Sequence, residues 1–152
     1  MSQRVDYVRV EPKLGQALGA LHSFVRSTAL DKLLLHLIDI RVSQINGCAY
    51  CLDLHCQEAR ADGETQQRLD VLAGWRETDL FDTRERAVLN FTEHVTRIST
   101  DRVPDEVYEA VRAQFSEQEV LQVLGAIISI NSWTRVAITT GRQPKHREPA
   151  LT

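Results

Sequence analysis

An all-α fold is predicted for this chain by three observations. Apolar residues recur at helical spacing in successive stretches, helix start and stop signals fall between those stretches, and no convincing strand pattern appears anywhere. Residues 1–12, with Val5, Tyr7, Val8 and Val10 ahead of Pro12, read as an extended arm lying on the body or on a neighbouring subunit. From Lys13 to Ser27, Leu14, Ala17, Leu18, Leu21, Phe24 and Val25 line one helical face. A second helix begins near Leu30, carries Leu33, Leu34, Leu37, Ile38 and Val42, and fades at Asn46-Gly47. Gly47 serves there as a C′ residue, and Asn46 or Gly47 caps the next helix. That next helix runs to about Ala61 and is stopped by Asp62-Gly63.

Beyond Gly63 a shorter helix passes through Leu69, Leu72 and Ala73 to Trp75. Thr83 is the expected N-cap of a helix through Ala87, Val88, Phe91, Val95 and Ile98. Pro104, followed by Asp105 and Glu106, opens a helix with Val107, Tyr108, Val111 and Phe115, because proline suits a first turn and acidic groups complement the positive end of the helix dipole. Ser116-Glu117-Gln118-Glu119 is a capping box opening a final helix from about Glu117 to Thr140, closed by Gly141. That helix is apolar almost all round, which marks it as a buried spine or an oligomer contact. The tail 142–152, with Pro144 and Pro149, is irregular.

The chain of 152 residues fits one helical domain spanning 1–152, long enough to bury most of its apolar surface. Its net charge of −3, without any Lys/Arg-rich run, argues against nucleic acid as a partner. The richest apolar segment, Val120 to Ile138, is broken by Gln122, Ser129, Asn131, Ser132 and Arg135, so no membrane span is expected. The first residues, Met1-Ser2-Gln3-Arg4-Val5-Asp6, lack the apolar region of a signal peptide. Three cysteines and no secretion signal point to the cytosol and to thiols that cycle rather than a structural disulfide framework.

The chemistry concentrates in Cys48-x-x-Cys51-x-x-x-His55 at the start of the central helix. At about 100° per residue these three side chains fall within roughly 60° of one helix face. Two thiols three apart can bridge across a turn, and an imidazole four residues past Cys51 lies over it. The helix dipole favours a thiolate on Cys48, whereas His55 favours one on Cys51 by hydrogen bond or ion pair. An imidazole shifts a thiol further than a dipole does, so Cys51 is read as the attacking thiol and Cys48 as the resolving one. His36 interrupts the apolar run Leu33–Ile38 twelve residues before Cys48. It is read either as a relay to His55 through a water or as a core histidine bonded to a backbone carbonyl.

The run Arg41-Val42-Ser43-Gln44-Ile45-Asn46-Gly47-Cys48-Ala49-Tyr50-Cys51 with His55 resembles the signature of the alkylhydroperoxidase D-like (AhpD-like) branch of the carboxymuconolactone decarboxylase superfamily. Trp75-Arg76-Glu77, Thr83-Arg84-Glu85-Arg86-Ala87 and Asn131-Ser132-Trp133-Thr134-Arg135 extend the resemblance over residues 30–140. It implies an all-helical fold, homo-oligomers (trimers or hexamers), and a thiol-dependent peroxidase reducing alkyl or hydrogen peroxides in antioxidant defence. It further implies attack by Cys51, resolution by Cys48, and His55 in a proton relay. The family's relay glutamate is replaced here by His36. An external dithiol, thioredoxin-like or lipoyl, is the implied reductant, and no cofactor is implied.

Competing readings are weaker. A zinc half-site completed by His55 and His36 lacks a second Cys-x-x-Cys or a His-x-x-x-His. Haem attachment needs a histidine where Leu52 stands, a thioredoxin fold needs flanking strands, and no Gly-rich nucleotide loop is present. The lactone-type decarboxylase chemistry of the wider family does not use the cysteine pair. Cys56 lies off the reactive face, Trp75 and Trp133 read as core or interface anchors, and His22, His94 and His146 receive no role. Arg84-Glu85-Arg86 reads as a solvated first turn, and Asn131-x-Trp133-x-Arg135 as a helix-positioning motif. The alternative function is a redox sensor or dithiol partner protein that does not turn over peroxide.

Overall fold

The turn that carries the cysteines is made by one helix ending and another beginning within two residues. The computed structural model describes residues 2–147, and all of their regular structure is helical. The elements are α1 (Tyr7–Val10), α2 (Pro12–Arg26), α3 (Lys32–Asn46), α4 (Ala49–Ala61), α5 (Gln66–Val71) running into a 3₁₀ turn (Leu72–Glu77), α6 (Thr83–Thr96), α7 (Asp105–Arg112) and α8 (Glu117–Thr140). Gly47 closes α3 at φ +67°, a conformation that only glycine adopts without strain. The Gly47 and Cys48 amides donate to Gln44 and Ser43 carbonyls, which satisfies the orphan carbonyls of α3.

Cys48 therefore completes α3 and at the same time caps α4. Its extended backbone (φ −87°, ψ 96°) and its sulfur, which accepts the Cys51 amide, make it the N-cap in place of the expected Asn46 or Gly47. The cap of α6 also moves by one residue: Asp82, reciprocated by Glu85, takes the place expected for Thr83. The capping box of Ser116 and Glu119 and the left-handed stop at Gly141 form as the pattern requires.

The arm is not wholly extended. Asp6 caps the short helix α1, Tyr7 is buried, and the Arg4 amide donates to Thr140 at the end of α8. Residues 142–147 carry no regular structure, whereas Met1 and the remainder of the expected tail, 148–152, lie outside the described residues.

α3 is the most enclosed helix. Leu34 to Ser43 are all buried except Arg41, because two separate apolar clusters cover its two faces. Leu34, Leu35, Ile38 and Val42 pack with α2, α6, α7 and α8, and Leu37 and Ile40 pack with Ala59, Leu69, Leu72, Trp75, Phe81 and Leu89. Truncating Leu37 to alanine would cost about 2–5 kcal/mol. The spine is thus α3 rather than α8. α8 is long and apolar enough to cross a bilayer, contrary to the sequence expectation, because its polar residues interrupt the composition without ending the helix. Here it packs on α2, α3 and α6, with Leu121 (66% exposed), Ile128 and Ile138 facing outward.

Buried charge organises the far side. Glu93 accepts from Trp75 Nε1 (2.9 Å) and Arg76 Nη1 (2.7 Å), and it pairs with Arg41 Nη2 (2.7 Å). Arg86 donates to the carbonyls of Trp75 (3.0 Å) and Thr78 (2.9 Å), while Glu85 pairs with Arg68. Within the run Arg84-Glu85-Arg86, expected to be a solvated first turn, Arg84 is exposed, whereas Glu85 is bound to Arg68 of α5 and Arg86 pins the 3₁₀ turn.

Candidate functional site

Site geometry begins with α4. The Sγ atoms of Cys48 and Cys51 are 2.7 Å apart, on the same side and close to bonding distance (about 2.05 Å). Both cysteines are free and 2% exposed. The Cys51 hydrogen bond to Cys48, the Cys51 amide and the positive charge of His55 bring Cys48 down to about 7 against the opposing effect of burial. Cys51, as the partner that keeps the shared proton, is pushed up by that same contact and by burial. Of the two, Cys48 is the easier to ionise. No direct bond joins His55 to Cys51 among the described residues, so the expected activation of Cys51 by His55 at i, i+4 is corrected: the imidazole is turned elsewhere.

His55 Nδ1 donates to Glu58 Oε2 at 2.9 Å and stands 3.6 Å from Asp39 Oδ2, and Asp39 is ion-paired with Arg26. Burial disfavours the imidazolium, but the Glu58 bond and the Asp39 charge outweigh it, and His55 is raised above its ordinary value. The reciprocal bond lowers Glu58. Nε2 is left as the ring nitrogen without a protein partner among the described residues.

His36 occupies a different place. Its Nε2 donates to Asp62 Oδ2 at 2.7 Å, and Lys32 Nζ bonds the other oxygen of Asp62 at 2.8 Å. His36 Nε2 is thus taken by Asp62, and the carboxylates beside His55 are Glu58, one turn along α4, and Asp39, one turn along α3 from His36. The core alternative for His36 also needs amending, because its partner is a carboxylate rather than a backbone carbonyl.

A recess of about 230 Å³ opens on Cys51, lined by Tyr7, His22, Tyr50, Leu54, His55, Glu58, Trp133, Ala137 and Arg142. Cys48 is not part of that lining. An outer recess of about 660 Å³ shares Tyr7, Tyr50, Leu54 and Arg142 with it. Trp133, read as an anchor, stands in this wall with its ring centroid 6.3 Å from that of Tyr7. Asn131 does position helices: it accepts from Asn46 Nδ2 at 3.0 Å and donates to Thr96 Oγ1 at 3.1 Å, tying the end of α3 to α8 and α6. His22, given no role, lies in the wall too, and burial followed by the nearby Arg26 lowers it. Glu58 is detectable in the sequence as a carboxylate three residues past His55. Asp39 shows the same signal as His36, a titratable group inside an apolar run. Tyr7 and Arg142 carry no local signal, since chain ends brought them in.

Among the described residues no three His, Cys, Asp or Glu side chains are grouped as a metal ion would need. What the arrangement offers is a dithiol with one sulfur bordering the recess, a more readily ionised sulfur behind it and a carboxylate-supported imidazole beside it.

The dithiol on an all-helical scaffold defines a class, and comparison with known proteins gives the family. Residues 12–94 match the model of the carboxymuconolactone decarboxylase family. The chain is 39% identical over 143 residues to the uncharacterized protein YdfG of Bacillus subtilis, covering 94% of this chain and 97% of that one. The crystal structure of Atu0492 from Agrobacterium tumefaciens, a protein of unknown function and candidate antioxidant defence protein AhpD, superposes with a TM-score of 0.94 at 36% identity, covering 96% of this chain and all of the other. An uncharacterized peroxidase-related protein from Silicibacter superposes with a TM-score of 0.76 at 27% identity, over 86% of this chain and 69% of that one. The chain belongs to the carboxymuconolactone decarboxylase family, in its AhpD-like branch.

Proposed function

We propose that the protein is a thiol-dependent peroxidase that reduces organic or hydrogen peroxides through Cys51 and Cys48. The observation that carries this reading is the asymmetry of the pair: Cys51 borders the recess, and Cys48 stands 2.7 Å behind it, outside the lining. The proton of Cys51 passes across the sulfur contact to Cys48, leaving a Cys51 thiolate. This attacks the terminal peroxide oxygen, forming an S–O bond as the O–O bond breaks. His55, held protonated by Glu58 and Asp39, gives a proton to the departing alkoxide, so the products are an alcohol and a Cys51 sulfenic acid. The sulfur of Cys48 then attacks that of Cys51 and hydroxide leaves as water. One proton from the thiol pair, one from His55 and two electrons from the sulfurs are thereby consumed, and a disulfide and a neutral His55 remain. An external dithiol in a reducing compartment such as the cytosol restores the pair and is itself oxidised. The outward apolar residues of α8 are compatible with the homo-oligomer expected of the family.

With a competent dithiol, Cys51→Ser is expected to abolish peroxide consumption. Cys48→Ser should react once and accumulate a Cys51 sulfenic acid, detected by dimedone labelling and mass spectrometry. Equal turnover by wild type and Cys51→Ser would falsify the assignment. A second reading, a sensor that reacts without turning over, is favoured by the burial of both sulfurs. It predicts a single equivalent of peroxide consumed however much dithiol is supplied.

A further inference from the structure

The group in the recess that the dithiol chemistry leaves unused is a guanidinium. Arg142 follows the left-handed stop of α8 and sits where the inner and outer recesses meet. Its Nη1 donates to the Tyr7 hydroxyl at 2.7 Å, and its Cζ lies 4.2 Å from the ring centroid of Tyr50 and 5.8 Å from that of Tyr7. The aromatic rings hold the fork in place without neutralising it, and among the described residues Arg142 pairs with no carboxylate. The acidic groups around it are engaged elsewhere: Glu58 with His55, Asp53 with Arg147, and Asp6 in capping α1. A positioned, uncompensated guanidinium beside an apolar wall of Leu54, Trp133 and Ala137 fits a ligand with an apolar body and a carboxylate.

Resting on the peroxidase reading, we propose that Arg142 is a specificity-determining residue that binds a carboxylate on the substrate, so that the preferred substrates are anionic organic hydroperoxides with a compact aromatic or branched body. The carboxylate stands at the junction, the apolar body fills the inner recess, and the hydroperoxide end meets Cys51. Larger substituents extend into the outer recess, where Lys145 stands and Arg147 is paired with Asp53.

The test separates this from the peroxidase reading by measuring binding without turnover. The probes are the alcohol of cumene hydroperoxide bearing a para carboxylate and the methyl ester of that alcohol, titrated against the wild-type chain by tryptophan fluorescence. The carboxylate form is expected to bind at least about tenfold more tightly than the ester, the scale of a hydrogen bond to a charged group. Arg142→Gln should remove the difference while leaving ester affinity unchanged, and Arg142→Lys should retain part of it. Equal wild-type affinity for the two probes overturns the proposal, and this comparison decides even if Arg142→Gln fails to fold. Equal loss of both affinities in Arg142→Gln also overturns it, since that is how a residue that merely holds the recess together would behave. A retained preference in a protein that consumes no hydroperoxide would strike the peroxidase reading and leave the carboxylate site standing.

Discussion

Two buried histidines, His36 and His55, are each bonded to a carboxylate of the α4 segment, yet their surroundings give them different work. His55 borders the recess beside Cys51, and its two carboxylates leave one ring nitrogen unclaimed. His36 is 4% exposed and borders no described recess, and its bond to Asp62 ties the start of α3 to the end of α4 with Lys32 on the same carboxylate. The pairing is alike and the access is not. On the proposed peroxidase reading, such a pair serves proton transfer where a reactant reaches the ring, as at His55, and ties helices together where none does, as at His36.

The largest expected effect tests that division directly. His55→Gln should lower the second-order rate of peroxide consumption by about 10²–10⁴, the range for loss of a positioned acid or base, with little change in thermal stability. Stopped-flow peroxide kinetics and a melting curve together read both quantities. His36→Ala should do the reverse. It leaves the rate near wild type and removes a packed, bonded side chain from the α3–α4 contact, costing about 2 kcal/mol or roughly 4–8 °C in melting temperature. A rate loss in His36→Ala comparable to that of His55→Gln would break the comparison and restore His36 to the relay.

The helices are legible in the sequence because their signals are local: a capping box at Ser116, a glycine at position 47, and periodic leucines over Leu33–Leu37. The dithiol and His55 are legible because spacing on one helix is enough to bring them together. What stays hidden is direction. Nothing in the spacing says that Cys48 is still finishing α3 when it caps α4, nor that the sulfur contact lowers Cys48 and raises Cys51. Nor does it say that the imidazole turns toward Glu58 and Asp39. The recess wall is hidden for a plainer reason, since Tyr7 and Arg142 are 135 residues apart in sequence and meet where Arg4 bonds the end of α8. α8 reads as a spine or an oligomer contact because composition counts apolar residues without telling which of them find partners within the chain.

The smallest expected effect sharpens the comparison at the level of one bond. Glu58→Gln keeps the shape of the His55 contact and removes its charge, so His55 should titrate at lower pH. If the imidazolium is the proton donor, the alkaline limb of the rate profile then moves to lower pH, while the acid limb, set by the thiol pair near 7, stays in place. Stability carries the same signature. His55, raised on folding, contributes fully below its ordinary 6.5, and the contribution fades as pH climbs through the raised value. Glu58, lowered on folding, contributes above its ordinary 4.5, and its share is lost as pH falls through the depressed value. Wild type should therefore exceed Glu58→Gln in melting temperature most between pH 4.5 and 6.5, with the gap narrowing on either side. The partial exposure of Glu58 keeps that gap small. A gap that does not vary with pH would show that Glu58 holds His55 by shape alone, and the imidazolium would then have to draw its support from Asp39.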